Sequence, residues 1–439
     1  MTEEAFRAPV RLTGRLVELV PPTPAHAPDL MWALRDPEVT RLWRGQAPRT
    51  VEDAEEFIRY LLDHQAAGTD LPFITTLRAT GRPIGATRFL RIDRESRGVE
   101  VGGTYLDSTY WRTPVNTESK WLLLQYAFET EGFHRVQLQT DLRNHRSQRA
   151  IERLGAQPEA SLREDVLMPD GVFRTSGYYS ILEAEWPPIK ERLFVQLARP
   201  WNPPAPHTGP KVLPRREPPE GMRERRTPPR PPLRFREQPE LTGRWVRLVP
   251  LRREHAPALA EALSDPAVWT YLRIRHGDTP EHMAALVEDN LALKAKGDTM
   301  PYTVLAGAEE TPVGVIRFLD IHREDQWVEI GTWLGPEAWR TPVNTEAKYL
   351  LLRLAFDTEG AHRVQLKTDA RNQRSQTAIV RLGAVPEGAL REHYRFPSGQ
   401  YRTSLYYSIL ESEWPAVRQR LEAMLARPFD GRLRPRGSA

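Results

Sequence analysis

One stretch of this chain is written twice. Residues 111–118 read WRTPVNTE, and residues 339–346 read WRTPVNTE again. From Tyr105 to Trp186 the first copy matches Trp333 to Trp414 at about two positions in three, without a gap. Further upstream, LTGRLVELVP from Leu12 corresponds to LTGRWVRLVP from Leu241. The period is therefore 228–229 residues. Solenoid repeats are much shorter, roughly 20–50 residues, because each buries its face only against its neighbours. A unit of this length can bury a core of its own. The expected organisation is two tandem domains, residues 1–199 and 240–429, joined by a linker at 200–239 and followed by a basic tail at 430–439.

Composition narrows the class. Charged residues are 27% and hydrophobic residues 40%, the balance of a globular domain that faces water. The longest apolar runs, such as Trp121–Leu124, fall far short of a membrane span, and MTEEAFRAPV is too acidic for a signal peptide, so a cytoplasmic location without membrane partners is expected. Absence of cysteine excludes disulfides, a thiolate nucleophile and sulfur-ligated zinc. The 11 histidines show no metal-ligand spacing, and no metal is expected. The net charge of +4 belongs to the linker: residues 200–239 carry nine basic and four acidic side chains, leaving −1 for the rest. That linker also holds 13 of the 40 prolines, which blocks helix and sheet and favours extended polyproline II. An arginine-rich arm can grip nucleic acid, with ribosomal RNA as the target in a third reading of the chain, but Phe235 is its one base-stacking aromatic after Trp201. A solvated spacer is the favoured reading, with nucleic acid not an expected partner.

Each unit reads alike. Arg15–Val20 alternates as a strand; 25–34 and 51–67 carry apolar residues at helical spacing. Phe73–Leu77, Ile84–Ile92 and Val99–Leu106 read as successive antiparallel strands. A helix is expected from Asn116 to about Thr130, capped by Asn116 or Thr117 and ended by Gly132. Then come a buried strand at Arg135–Thr140, a short helix at Ser147–Leu154 closed by Gly155, and a hairpin of 158–168 and 173–182 around Asp170-Gly171. A last helix starts near Trp186-Pro187. The fold class is α/β: in each unit a mixed, mostly antiparallel central sheet of about seven strands flanked by helices.

The informative order is strand, loop 107–115, helix start, strand, then Asn144-x-x-Ser147. A helix N-terminus after a strand offers free N–H groups and the positive end of a dipole, where phosphates bind. Taken together, the LTGRLVELVP opening, the Val-Glu-Val-Gly strand, NTExK, N-x-x-S-x-x-A-I-x-R-L-G-A and YYSIL-x-x-EW resemble the GNAT family of acetyl-CoA-dependent N-acetyltransferases, and within it the branch acting on ribosomal protein N-termini. The resemblance spans nearly all of both units. It implies direct transfer of an acetyl group from acetyl-CoA to a primary amine of a small molecule or peptide, a ribosomal protein being one candidate.

The same resemblance implies residue roles. Trp111–Glu118 stands where the family has a glycine-rich cofactor loop; Arg112, Pro114 and Asn116 replace two glycines and an alanine. Proline removes one N–H, while Arg112, Thr113, Asn116 and Thr117 offer other donors. Arg340, Thr341, Asn344 and Thr345 repeat this, with Val115 and Val343 in the same loops. Tyr105 and Leu106, and Trp333 and Leu334, are the strand residues expected beside the cofactor, their N–H groups stabilising the oxyanion. Asn144 and Asn372 would contact the pantetheine or acetyl region; they are also good helix caps. The tyrosine the family often uses as general acid is Ile151 and Ile379 here, and Ser147 and Ser375 are expected in its place. Glu100 and Glu329, flanked by apolar residues, are the expected bases; the alternative is an outward-facing strand residue. Tyr178, Tyr179, Tyr406 and Tyr407 are pocket or sheet-packing residues. Glu159 and Glu387 are acids near the acceptor or, with Arg163 and Arg391 four residues on, halves of ion pairs. His134 and His362 read as surface or capping residues. The first helical region differs most between copies, so the two sites are expected to share a cofactor and differ in acceptor. The missing glycines and tyrosine leave open a CoA-sensing or scaffolding protein without catalysis, and the tandem is expected to pack as an intramolecular pseudo-dimer.

Overall fold

The computed structural model describes residues 8–44, 48–201, 231–273 and 279–433. Most of the expected linker and the end of the basic tail lie outside the described residues. The chain divides into two compact units, residues 1–161 with 168–229 and residues 230–439 with 162–167.

In the first copy the strands are β1 (Leu12–Thr13), β2 (Val17–Val20), β3 (Leu71–Leu77), β4 (Pro83–Asp93), β5 (Gly98–Leu106), β6 (Arg135–Asp141), β7 (Gln157–Leu167, whose residues 162–167 count with unit 2) and β8 (Phe173–Leu182). Their order is β1-β2-β3-β4-β5-β6-β8-β7. Neighbours from β1 to β5 run antiparallel, as do β6 and β8, while β5 and β6 run parallel. The helices are α1 (Ala27–Leu34), α2 (Pro37–Thr40), α3 (Val51–Ala66), α4 (Pro114–Gln125), α5 (His145–Leu154) and α6 (Trp186–Leu197).

Both faces of the sheet are covered, and the alternation of the strands shows how. Val17, Leu19, Phe73 and Phe89 point into a core shared with α4, α5 and α6. Val20, Ile74 and Ala86 point into a second core with α1 and α3. Successive strand residues face opposite sides, so each strand feeds both cores. Burial of such side chains stabilises by about 1.5–3 kcal/mol each.

The central helix α4 begins two residues before the expected Asn116. Thr113 is its cap and Pro114 its first residue, where the missing N–H costs nothing. A π-helical turn, Tyr126–Thr130, follows it. Glu118 on α4 accepts hydrogen bonds from the N–H groups of Arg15 (3.1 Å), Leu16 (2.6 Å) and Val17 (2.8 Å). This carboxylate ties the helix to the start of β2. A Cβ on Gly14 would meet Glu118 Oε2 at 2.7 Å, so the glycine of LTGR and the glutamate of NTE belong to one device.

Unit 2 repeats the plan: β9 (Leu241–Thr242), β10 (Val246–Pro250), β11 (Thr299–Ala306), β12 (Thr311–His322), β13 (Trp327–Leu334), β14 (Arg363–Asp369), β15 (Val385–Arg395) and β16 (Tyr401–Leu410). Its helices are α7 (Ala256–Ala262), α8 (Pro280–Lys296), α9 (Val343–Arg353), α10 (Gln373–Leu382) and α11 (Trp414–Leu425). Glu346 takes the amides of Arg244, Trp245 and Val246 as Glu118 does in unit 1. The expected linker runs too far: Leu233 and Phe235 are buried in the core of unit 2, with Phe235 edge-on to Phe318 at 4.9 Å. An apolar pair spaced i, i+2 within an otherwise Pro/Arg segment was the signal for that. Each unit contributes eight strands, one more than expected, because the two-residue β1 and β9 are among them. No helix among the described residues is long and apolar enough to cross a membrane.

Candidate active site

The sheet itself opens the site. β5 and β6 pair in parallel at Gly98–Arg135, Val99–Val136 and Glu100–Gln137, and there the pairing stops. Beyond it the strands diverge, and Val101–Leu106 and Leu138–Asp141 line a cleft of about 550 Å³. In unit 2, β13 and β14 pair at Trp327–Arg363, Val328–Val364 and Glu329–Gln365, and a cleft of about 520 Å³ opens in the same place.

The WRTPVNTE loop forms one side of each cleft. The Trp111 indole N–H donates to the Leu106 carbonyl at 3.0 Å, pinning the loop to the end of β5. Arg146 from α5 stacks over Trp111 at 3.3 Å. In unit 2 Trp339 donates to Leu334 at 2.8 Å and Arg374 stacks over it at 3.2 Å. Arg112 and Arg340 stand where the family's glycine was expected, and they adopt its conformation, with φ of 62° and 59°. A non-glycine residue held there costs on the order of 1 kcal/mol.

Of the expected residues, Tyr105, Leu106, Arg112, Thr113, Asn116, Asn144 and Ser147 line the cleft of unit 1. Trp333, Leu334, Arg340, Thr341, Asn344, Asn372 and Ser375 line that of unit 2. Val115, Thr117, Val343 and Thr345 do not: they are buried on α4 and α9, and Thr345 accepts from Arg381 at 3.0 Å. Thr113 and Thr341 spend their hydroxyls locally, donating at 2.7 Å to the carbonyls of Tyr110 and Ala338. Asn144 and Asn372 cap α5 and α10, each accepting from the serine three residues on, at 3.1 and 3.0 Å.

Glu100 and Glu329 are buried at the fork and do not line the clefts, whose walls on these strands begin at Val101 and Thr332. Glu100 accepts from Gln137 at 3.0 Å and Arg91 at 3.2 Å. Glu329 accepts from Gln365 at 3.0 Å and pairs with Lys367 at 3.0 Å. Burial raises the Glu329 pKa, with Lys367 opposing. Tyr179 and Tyr407 pack in the cores, and neither they nor Tyr178 and Tyr406 are among the cleft-lining residues. Glu159 is in an ion pair whose partner is across the sheet: Arg135 meets it at 2.6 and 2.9 Å. Arg363 meets Glu387 in the same way, at 2.6 Å twice. Spacing of four brings residues together on a helix but separates them by about 13 Å on a strand. His134 lies 3.4 Å from Glu183, outside the cleft.

The lining is strongly cationic. Unit 1 presents Arg112, Arg146, Arg149, Arg153 and Arg174 against one acid, Asp141, which Arg143 already neutralises at 2.7 Å. Unit 2 presents Arg340, Arg374 and Arg381, and Lys120 and Lys348 also line the clefts. Burial with no opposing charge brings Lys120 and Lys348 down to about 7. These two lysines escaped the sequence reading. Their signal was a single lysine set directly before aromatic-Leu-Leu-Leu in a helix buried nearly all round (KWLLL and KYLLL).

The acetyltransferase (GNAT) domain model matches residues 16–157 and again 246–385, well over half of the chain. The chain belongs to the GNAT acetyltransferase family. Membership makes it an N-acetyltransferase with two tandem GNAT domains. It is 24% identical over 161 residues to the N-acetyltransferase p20 of Bacillus licheniformis, itself uncharacterized, covering 37% of this chain and 90% of that one. It is 28% identical over 101 residues to YdaF of Bacillus subtilis (strain 168), provisionally described as a ribosomal N-acetyltransferase, covering 23% of this chain and 55% of that one. Among solved structures, a GCN5-related N-acetyltransferase from Brucella melitensis is 28% identical, with 46% of this chain and 94% of that one covered and a TM-score of 0.43.

Proposed function

We propose that each GNAT domain binds acetyl-CoA in its fork cleft and passes the acetyl group directly to a primary amine, in a cytoplasmic setting. The observation that carries this reading is the cationic cleft at the sheet fork, present twice. Its donor set suits a diphosphate: Arg112, Arg146 and Arg149 in one unit and Arg340 and Arg374 in the other, with the start of α4 or α9 alongside. The prolines of the loop are not among the residues lining either cleft, so the replacement of glycine leaves the cradle open.

The acetyl thioester supplies the electrophile. Residues of the chain do the rest. N–H groups at the diverging ends of β5 and β13, near Tyr105 and Trp333, face developing negative charge on the carbonyl oxygen. Asn144 and Asn372 orient the cofactor's arm, and Ser147 and Ser375 stand in the cleft as proton donors to the leaving sulfur. Val39, Leu42 and Trp43 wall the acceptor end of unit 1, with Trp43 5.5 Å from Tyr105; Val268, Tyr271 and Leu272 take their places in unit 2. Apolar and aromatic walls suit a peptide N-terminus, and YdaF supports a ribosomal protein as the acceptor class.

Calorimetry of the full chain with CoA is expected to give two sites. Thiol release from acetyl-CoA is expected with N-terminal peptides in preference to spermidine or free amino acids. Absence of CoA binding would remove the reading; preference for a small amine would remove the peptide.

A further inference from the structure

Building on that reading, we propose that Lys120 and Lys348, rather than Glu100 and Glu329, take the proton from the acceptor amine, through the hydroxyls of Thr104 and Thr332. Lys120 lies on α4 and lines the cleft although its side chain is buried. Its Nζ meets the hydroxyls of Thr87 (2.9 Å) and Thr104, and those two hydroxyls are 2.9 Å apart. Thr104 is itself a cleft residue, so it bridges the amine to the open space. Lys348 repeats the arrangement with Thr332 at 3.0 Å and the Asn344 side-chain oxygen at 2.7 Å. Both threonine and lysine line the cleft of unit 2 as well.

The charged neighbours are engaged elsewhere. Arg88 on β4 follows Thr87, so it points to the other face, where it pairs with Asp70 at 3.1 Å. Glu118 on α4 is held by the amides leading into β2, and Glu100 on β5 by Arg91 and Gln137. In unit 2 Arg317 is bonded to Asn290, Glu346 holds the amides leading into β10, and Glu329 is paired with Lys367. Each lysine therefore meets neutral oxygens, and burial favours its uncharged form near pH 7. An uncharged Nζ has a lone pair for the threonine proton. The carboxylates, by contrast, are committed to cations and sit behind the cleft.

Two protons leave the acceptor nitrogen in one turnover. The first passes to Thr104 Oγ1, whose own proton moves to Lys120 Nζ; the resulting ammonium returns it to water as product departs. The second ends on the departing sulfur as the new C–N bond replaces the C–S bond. No oxidant or reductant is involved.

The test uses the full chain with 13C-labelled lysine. The chain has seven lysines, so each Cε signal can be assigned with single Lys→Arg variants. Lys120 and Lys348 are expected to titrate near pH 7, and titration of both near the ordinary lysine value overturns the proposal whatever the activity. Lys120→Arg with Lys348→Arg is expected to lower kcat/KM at least about 100-fold, the lower end of what one proton-transfer group contributes, and to abolish the limb that rises with pH through about 7. CoA binding by calorimetry is expected to stay within threefold. Glu100→Gln with Glu329→Gln is expected to keep the limb. If the glutamine pair loses it and the arginine pair keeps it, the lysine assignment is wrong. If the wild-type chain does not bind CoA or turns over no amine, the acetyl-transfer reading fails first, and the lysines' role with it.

Discussion

Both units hold a buried carboxylate at the fork of the sheet, and they bring its cation from opposite sides. In unit 1 Glu100 is met by Arg91 on β4, with Gln139 on β6 beside the arginine at 3.2 Å. In unit 2 the position of Arg91 is Asp320 and that of Gln139 is Lys367, and it is Lys367 on β14 that meets Glu329. Charge has moved from one neighbouring strand to the other while the carboxylate stayed. What the two copies share is therefore a buried fork glutamate with one cation and one glutamine, not a particular cation. An ion pair is a structural reason to retain the glutamate, and it leaves proton transfer to another group.

The bidentate pairs Arg135–Glu159 and Arg363–Glu387 recur in both units, with Arg163 as a second cation on Glu387, and here the largest effect is expected. Both partners are almost wholly buried in each case. Arg135→Met or Arg363→Met removes the bidentate cation from a buried carboxylate; about 3–5 kcal/mol is expected for Arg135→Met, and less for Arg363→Met because Glu387 also meets Arg163 at 3.2 Å. Chemical denaturation of each variant reads this directly. A loss below 1 kcal/mol in either unit would mean that the carboxylate finds another partner or takes up a proton.

A single residue separates the two strands that wall the clefts. Val-Glu-Val-Gly-Gly-Thr in unit 1 faces Val-Glu-Ile-Gly-Thr in unit 2, and this is why the repeat period drops from 229 to 228. The extra Gly103 forms a bulge. Arg88 pairs with Gly102 and Ala86 with Tyr105, so three residues of β5 span the interval that two residues of β4 allow. In unit 2, Arg317, Ile316 and Val315 pair in step with Gly331, Thr332 and Trp333. Gly103 has φ of 57°, and a Cβ there would meet Arg88 Nε at 2.8 Å. Gly103→Ala is expected to cost about 1–3 kcal/mol, read as a shift in thermal unfolding. Deleting Gly103 gives unit 1 the register of unit 2 and is expected to be tolerated better, with a change in acceptor preference. Equal tolerance of both variants would show that the bulge is incidental.

How far the sequence reveals this site depends on the range of the interaction. Strands, helices and the fork were legible because alternation, helical spacing and the repeat are local patterns. The start of α4 was misread by two residues because Thr113 and Asn116 are both competent caps, and Pro114 decided between them. Long-range partners were not legible. Glu118 and Gly14 are some hundred residues apart, and Arg135 finds Glu159 only through strand order. Lys120 looked like any polar residue of a helix start until the burial of its neighbours Ser119 and Leu122–Leu124 was known.

A milder effect is expected at the loop arginines. Arg112→Gly and Arg340→Gly remove a side chain from a left-handed backbone, which relieves strain of about 1 kcal/mol but frees the unfolded chain by a comparable amount. Little net change in stability is expected, together with CoA binding weakened several-fold by the lost charge. Tighter CoA binding would mean that the family's glycine makes a better cradle than these arginines do.

The finest comparison concerns the partners of the two lysines. Lys120 has two hydroxyls, Thr87 and Thr104; in unit 2 the place of Thr87 is Ile316, and Asn344 supplies the second oxygen instead. Thr87→Ile removes an acceptor that favours the ammonium form and adds apolar bulk, so both changes disfavour the charge. The Lys120 pKa is expected to move down by less than about one unit, and the rising limb of the pH–rate profile at that site moves toward acid with it. The sign follows from the role: the uncharged lysine is the active form, so a lower pKa keeps the site active at lower pH. Ile316→Thr is expected to move Lys348 the other way. Lysine Cε titration reads both. Shifts in the same direction would mean that the hydroxyl does not act through the ammonium, and the difference between the two sites would then need another cause.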